Sequence, residues 1–408
     1  MSEQDNEEFD NSSAARHAGV GPWAGAGGTV SPVRVAIVTE SFLPQVNGVT
    51  NSVMRVLEHL RRSGHEALVI APGNGVTEYC GYPVVRVPEL QLPVLKAQPI
   101  GWPSRKILKA LQDFRPDVVH LASPFVVGAR GLVAARKLGI PAVAVYQTDV
   151  AGFASSYGLG LTARAAWKWT KWLHTMADRT LAPSTWAVQA LEEHGIPRVH
   201  RWARGVDTVR FNPGKRDDAL RARLAPNGEL LVGYVGRVAL EKCVDRLGPL
   251  HDMPGVQVVV VGDGPELGHM RKLLPDAHFL GFRGGDELAT AYASLDVFVH
   301  TGPYETFCQA VQEALASGVP ALAPDAGGPR DLVTPGRTGF LLPPFDADAH
   351  AEAMCAAINT LRDPVLRAKY GAEARKSVLR RTWPAVCDEL LGHYAEVTSL
   401  PAADSHAA

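Results

Sequence analysis

Four residues in the second half of this chain have the types and spacing to do chemistry. Glu305 and Glu313 bracket the run Glu-Thr-Phe-Cys-Gln-Ala-Val-Gln-Glu, which puts one carboxylate just before an expected helix and the other about two turns inside it. Arg237 and Lys242 belong to Gly-Arg-Val-Ala-Leu-Glu-Lys, which follows an apolar run directly. An arginine forks onto two phosphate oxygens, and a lysine is a point charge for a third. An ionised carboxylate accepts from neighbouring sugar hydroxyls. A diphosphate held by two cations, with attached rings read by two acids, is the handling of a nucleotide-sugar. Each residue alone has a plainer explanation: Glu313 a solvated helix acid, Glu305 an N-terminal cap, Lys242 the surface partner of Glu241. The four together favour the site.

Further residues extend it. Thr306, Phe307, Cys308 and Gln309 are expected to open the helix after Glu305, where free N–H groups and the helix dipole favour an anion. Gly48, between the first strand and first helix, lets the backbone approach a ligand, and its N–H would reach the outer phosphate from the other half of the chain. It is otherwise an ordinary turn glycine. Gln147 and Asp149 lie in the loop after 141–146 and either contact substrate or merely order that loop. Arg283, after Gly281-Phe282, is placed near the base. Neither first loop reads G-x-G-x-x-G, which argues against a dinucleotide enzyme. Gly262-Asp-Gly-Pro-Glu266 reads as a sharp turn at a cleft edge. No metal is expected: the Asp-x-Asp pair at Asp346 and Asp348 falls at a helix start, where capping explains it.

Positioning these groups requires two strand-and-helix units. Continuous Val/Ile-rich runs occur at 33–39, 66–70, 84–87, 117–121, 141–146 and 179–182, and again at 230–235, 256–261, 277–282, 296–300, 319–323 and 338–342. Such runs suit strands buried on both faces of parallel sheets. Helical spacing marks 47–63, 285–294, 306–317, 347–361, 366–380 and 384–397. The charged, Pro/Gly-bearing segment 211–228 reads as a boundary. The fold class is therefore α/β, with two doubly wound, Rossmann-like domains facing across a cleft.

At 408 residues the chain suits two domains, and its formal net charge of -1 gives no field for nucleic acid. Five scattered cysteines without a C-x-x-C read as reduced thiols in a cytoplasm. No stretch approaches ~20 apolar residues, the length that spans a bilayer. The acidic start (Glu3, Asp5, Glu7, Glu8, Asp10) is unlike a signal peptide, so 1–31 and 399–408 read as disordered tails. From 90 to 180 there are 12 basic and 4 acidic residues. Within that stretch Arg164-Ala-Ala-Trp-Lys-Trp-Thr-Lys-Trp172 interleaves Trp with Lys, and Trp102 precedes Arg105, Lys106 and Lys109. Two readings stand level: a basic helix lying on an anionic bilayer, and a helix with core-facing Trp and solvated Lys.

The chain resembles the retaining GT-B glycosyltransferases of family 4. The likeness rests on Arg-x4-Lys at Arg237 and Lys242, the Gly-Asp-Gly-Pro-Glu at 262–266 and Glu-x7-Glu at Glu305 and Glu313. Gly-Val-Asp at 205–207 and Asn-Gly-Val at 47–49 add to it, so that about 33–397 is covered. Ser41-Phe-Leu-Pro-Gln-Val-Asn-Gly-Val49, Tyr146-Gln-Thr-Asp-Val150 and Arg201-Trp-Ala-Arg-Gly-Val-Asp207 make it most similar to the actinobacterial GDP-mannose-dependent α-mannosyltransferases that build membrane glycolipids. The resemblance implies an acceptor-binding domain over 32–210 and a donor domain over 211–382, with a last helix (383–397) crossing back to the first. It also implies a metal-independent, retaining hexosyltransferase that needs no cofactor beyond its nucleotide-sugar substrate. Arg237 and Lys242 would hold the diphosphate, Glu313 the ribose, Glu305 the hydroxyls of the transferred sugar, and Gly48 N–H the distal phosphate. One position departs: many relatives carry His where this chain has Gln147, and Gln cannot titrate as a general base.

The expected activity is transfer of a hexose, mannose by the resemblance, to a lipid-linked or small polar acceptor. The expected place is the cytoplasm or the inner face of the plasma membrane. The alternatives are a sugar-nucleotide 2-epimerase of the same fold, a UDP-sugar enzyme acting on inositol phosphate, and a non-catalytic binding protein.

Overall fold

The computed structural model describes residues 32–90, 100–101, 104–147 and 160–399. Its first sheet is built from β1 (Arg34–Thr39), β2 (Glu66–Pro72), β3 (Glu78–Tyr79), β4 (Tyr82–Val87), β7 (Val118–Ala122), β8 (Ala142–Val145), β9 (Arg179–Ala182) and β10 (Val199–Arg201). The order is β10-β9-β8-β7-β1-β2-β4-β3, parallel except for the β3–β4 pair. Two short strands, β5 (Glu89–Leu90) and β6 (Ile100–Gly101), pair by themselves.

The second sheet holds β11 (Leu230–Val235), β12 (Val256–Val261), β13 (His278–Gly281), β14 (Val297–Val299), β15 (Ala321–Pro324) and β16 (Gly339–Leu342). It runs β13-β12-β11-β14-β15-β16, all parallel.

Alternation along each strand sends side chains into two helical layers, as a doubly wound sheet requires. Val35 and Ile37 face the helices Gly48–Arg62 and Trp383–Ser399, meeting Val53, Leu57, Leu390 and Tyr394. Ala36 and Val38 face Ile107, Leu111 and Leu132 on the helices Arg105–Phe114 and Val127–Leu138. In the second sheet Leu231 and Val259 meet Val311 and Leu315, while Val232 and Val260 meet Leu250, Met354 and Ile358. The last helix is tied to the first sheet by polar bonds as well. His120 Nδ1 and the Tyr394 hydroxyl lie 2.7 Å apart, and Trp202 Nε1 donates to the Val386 carbonyl at 2.7 Å.

In each sheet the chain lays strands to one side and then crosses to the other. The reversals fall between β1 and β7 and between β11 and β14. The loops at the carboxyl ends of such neighbouring strands diverge and leave a crevice for ligand. On the first sheet that edge is braced by Glu40, whose buried carboxylate accepts from the N–H groups of Phe125, Val127 and Gly128 at 2.7, 3.2 and 2.8 Å. Burial pushes this carboxyl above its ordinary range, and the backbone donors oppose that.

Candidate active site

β11 ends at Gly236, and the segment carrying Arg237 and Lys242 lies over the carboxyl edge of the second sheet. No α-helix begins at Lys242. The segment forms two 3-10 turns, Leu240–Lys242 and Val244–Leu250, separated by Cys243 at φ 49°. Pro249 lacks the N–H that an α-helix would need there. The Gly262–Glu266 turn buttresses the loop: Val238 N–H donates to Asp263 O at 2.9 Å and Glu266 N–H to Val238 O at 3.1 Å. The Tyr234 hydroxyl holds the Arg237 carbonyl at 2.8 Å.

Across the switch point, between β14 and the next helix, lies Glu305. Lys242 Nζ donates directly to its Oε1. Burial works to raise the Glu305 carboxyl, but Lys242 beside it holds it below the ordinary carboxylate range. Burial likewise works against the Lys242 ammonium, and Glu305 more than reverses this, so the lysine is raised. Both groups are therefore charged around neutral pH. The Glu305 backbone is fixed by Gly327 and Gly328. Gly328 N–H donates to the Glu305 carbonyl at 2.7 Å, and a Cβ on Gly327 (φ 60°) would come within 2.4 Å of that oxygen.

The expected helix start at Thr306 is corrected. The helix is Gln309–Ala316, preceded by Cys308 at φ 78°. A left-handed residue interrupts the helical run, so Thr306 and Phe307 belong to the loop. Phe307 is 2% exposed within the core, and Cys308 is also buried. Burial pushes the Cys308 thiol far up, which keeps it protonated. Gln309 Nε2 donates to Gly205 O at 3.1 Å. One turn inside the helix, burial pushes the Glu313 carboxyl up to about 7, against the pull of Tyr292, Arg210, Gln309 and Arg55.

The first sheet contributes from the opposite side. Asn47 caps the helix Gly48–Arg62, its Oδ1 accepting from Val49 and Thr50 N–H at 3.0 and 2.9 Å. A Cβ on Gly48 would sit 2.8 Å from Arg204 Nη1. Gln147, just past β8, is buried. Its Oε1 accepts from Arg204 Nη2 at 2.7 Å and its backbone carbonyl from Thr306 Oγ1 at 3.0 Å. That last bond joins the two halves directly beside Glu305. The residues from Gly48 through Gln147 and Thr306 to Glu305 and Lys242 thus form one connected set.

Other expected residues stand outside this set. Arg237 is half-exposed, with Nη1 3.5 Å from Glu241 Oε1. Arg283 stands in the loop before the helix Gly285–Ala293 and pairs with Glu287 of that helix at 3.2 Å. Asp149 lies outside the described residues, as does Trp102. Asp346 accepts from Ala349 N–H at 3.0 Å, which is the capping role expected of it.

Two residues beside these went unread in the sequence, Arg204 and His300, and Thr306 was read as a helix start where it is a cross-link. His300 Nε2 lies 3.5 Å from Glu305 Oε1, and burial pulls the imidazole down to about 4, so it is neutral. His300, Glu305 and Cys308 bring one ligand atom each within 4.8 Å of one another, a set able to hold a cation among the described residues. As built, its oxygen is taken by Lys242 and its sulfur is a protonated thiol, which is a poor donor set.

The basic, Trp-bearing helix Gly160–Met176 divides between its two readings. Trp167 stacks on His194 at 3.6 Å between ring centres and packs on a small core cluster. Trp169 and Trp172 stack on each other at 5.0 Å and are 38% and 40% exposed, beside exposed Lys168 and Lys171.

Comparison with known proteins agrees with this geometry. The pattern of Glycosyltransferase Family 4 matches residues 46–210, and that of Glycosyl transferases group 1 matches 215–377. A GDP-mannose-dependent alpha-mannosyltransferase of Mycobacterium tuberculosis is 58% identical over 372 residues, 90% of this chain and 97% of the relative. A sulfoquinovosyl transferase of Arabidopsis thaliana is 33% identical, covering 88% of this chain and 72% of that one. The crystal structure of Anabaena HepE in complex with UDP shares the fold, with a TM-score of 0.73 at 20% identity, covering 89% of this chain and all of that one. Two parallel sheets with helices on both faces, meeting at their carboxyl edges, are the GT-B arrangement, and the chain belongs to the family 4 glycosyltransferases.

Proposed function

We propose that the enzyme transfers mannose from GDP-mannose to a glycolipid or other polar acceptor, with retention of anomeric configuration and without a metal ion. The Lys242–Glu305 pair at the switch point, facing Gly48, Gln147 and Arg204 across the crevice, carries the reading. The mannose and the guanine base come from the names of relatives at 51–58% identity. In this reading Lys242 turns from Glu305 to the diphosphate when the donor enters, and Arg237 swings from Glu241 to join it. The freed Glu305 accepts from sugar hydroxyls, and Glu313 accepts from the ribose. Preplaced cations in a closed cleft stabilise the charge on the departing diphosphate. The departing phosphate oxygen takes the acceptor proton on the same face, so no side chain need act as base. Gln147, which cannot titrate, fits that route. Glu305 as nucleophile is the rival, and its hold on the ring hydroxyls argues against it, because a carboxylate so engaged is badly aimed at the anomeric carbon.

The test is transfer from GDP-mannose to extracted membrane lipid, with the product linkage read by NMR and UDP-glucose in parallel. An α-linked mannosyl product is expected, undiminished by chelator. Transfer only from a UDP-sugar, a new sugar-nucleotide formed without acceptor, or loss of activity in chelator overturns the corresponding part. Exposed Trp169 and Trp172 with Lys168 and Lys171 support peripheral contact with an anionic bilayer at the inner face of the plasma membrane. Flotation with anionic vesicles tests it, and absence of binding at low salt removes it.

A further inference from the structure

We propose that Arg204 is a third cation of the donor site, binding the distal phosphate from the first-sheet side, opposite Arg237 and Lys242. The inference rests on the donor reading above and assigns a residue to it.

Arg204 belongs to the segment that joins the two sheets, and its neighbours are rigidly held. Trp202 is buried, and Val206 N–H donates to the Arg381 carbonyl at 2.8 Å. Gly205 is pressed so close to Trp383 that a Cβ would come within 2.6 Å of its backbone. The Arg204 carbonyl accepts from Gln312 Nε2 at 3.1 Å, on the helix that carries Glu313. The backbone is thus fixed to both halves, and the side chain reaches back into the crevice.

Among the described residues the guanidinium makes one hydrogen bond, Nη2 to Gln147 Oε1 at 2.7 Å. Its Nε is enclosed without a partner, as is Gln147 Nε2. Among the described residues no carboxylate lies within ion-pair distance of it. A largely enclosed guanidinium with no counter-charge among the described residues is costly unless an anion joins it, and a ligand can supply that anion. Burial pulls this guanidinium down to about 10, although the Glu305 field opposes that, a mark of a cation short of compensation.

Position identifies the anion. Nη1 lies against Gly48, whose N–H is left over when Asn47 caps Val49 and Thr50. Arg204 holds the Gln147 side chain while Thr306, next in the chain to Glu305, holds the Gln147 backbone carbonyl, so Arg204 and the Lys242–Glu305 pair flank the same residue. A phosphate between Gly48 N–H and Lys242 meets Arg204 in the same place. The α-phosphate, nearer the ribose and Glu313, is left to the second sheet.

Titration of GDP and GMP into the full-length protein tests this. The wild type is expected to prefer GDP. Arg204→Gln should weaken GDP by about tenfold to a hundredfold, the range for a charge-assisted hydrogen bond, while GMP is held as before. Arg204→Lys keeps the charge but loses the fork, so it should lower the GDP preference by a few-fold. It serves as the readout if the glutamine variant does not fold. A GDP/GMP ratio unchanged in the folded variant, whether both affinities stay or fall together, overturns the assignment and leaves Arg204 a structural residue. A wild type that binds neither nucleotide, or GMP as well as GDP, sinks the donor reading itself.

Discussion

Donor affinity should depend on pH through Glu313. Burial pushes its carboxyl up to about 7 in the free enzyme. Its folded pKa is thus above the unfolded value, so burying it costs nothing below about pH 4.5, and the penalty grows as pH rises through about 7. If ribose hydroxyls donate to it, the donor binds the ionised form and the carboxyl falls back towards its ordinary range. Apparent affinity then scales with the ionised fraction, which is about one tenth at pH 6 and about nine tenths at pH 8 for a pKa near 7. GDP-mannose should therefore bind about tenfold more tightly at pH 8, with a proton released on binding. Its diphosphate diester does not titrate in that window, whereas the terminal phosphate of GDP would. His300, pulled down to about 4, is already neutral there. Calorimetry in two buffers of different ionisation enthalpy reads both affinity and proton release. Glu313→Gln should flatten the profile. A wild-type affinity that is level or falls between pH 6 and 8 refutes the ribose role of Glu313.

Lys242→Ala and Glu305→Ala should each lower kcat/KM by on the order of 10²-fold or more, as loss of one preorganised charge does. The double variant should fall short of the product of the two, because they are bonded to each other; near-wild-type rates in either single variant remove the site. Gly48→Ala should raise the KM for donor with little loss of fold, because the methyl meets the movable tip of Arg204 rather than backbone. An unchanged KM would mean that the glycine is only a turn. Leu390→Ala, which opens a void between the last helix and the first sheet, should cost about 2–5 kcal/mol in denaturant unfolding.

The sheets were legible because their strands are unbroken β-branched runs: 256–261 in sequence is Val256–Val261 in the structure. β3 and β10, two and three residues long, carry no periodicity, and they were missed. The Glu305 helix was drawn three residues early because nothing in Thr-Phe-Cys announces a left-handed cysteine. The acids and cations of the candidate site were picked out by type and spacing. That Lys242 and Glu305 are bonded to each other was not, since their proximity arises from two loops 63 residues apart. Arg204 stood inside a quoted motif without a role. Enclosure of a charge is a tertiary property, and one sequence does not carry it.

The closing helix Trp383–Ser399 has a consequence for biosynthesis. It covers apolar strands made long before it, packing Leu390 and Tyr394 against Val35, Ile37 and Val69. A nascent chain on the ribosome therefore carries a greasy, half-clothed face until the segment Trp383–Ser399 has emerged to seal it. Such a product depends on holding chaperones more than one whose opening segment completes itself.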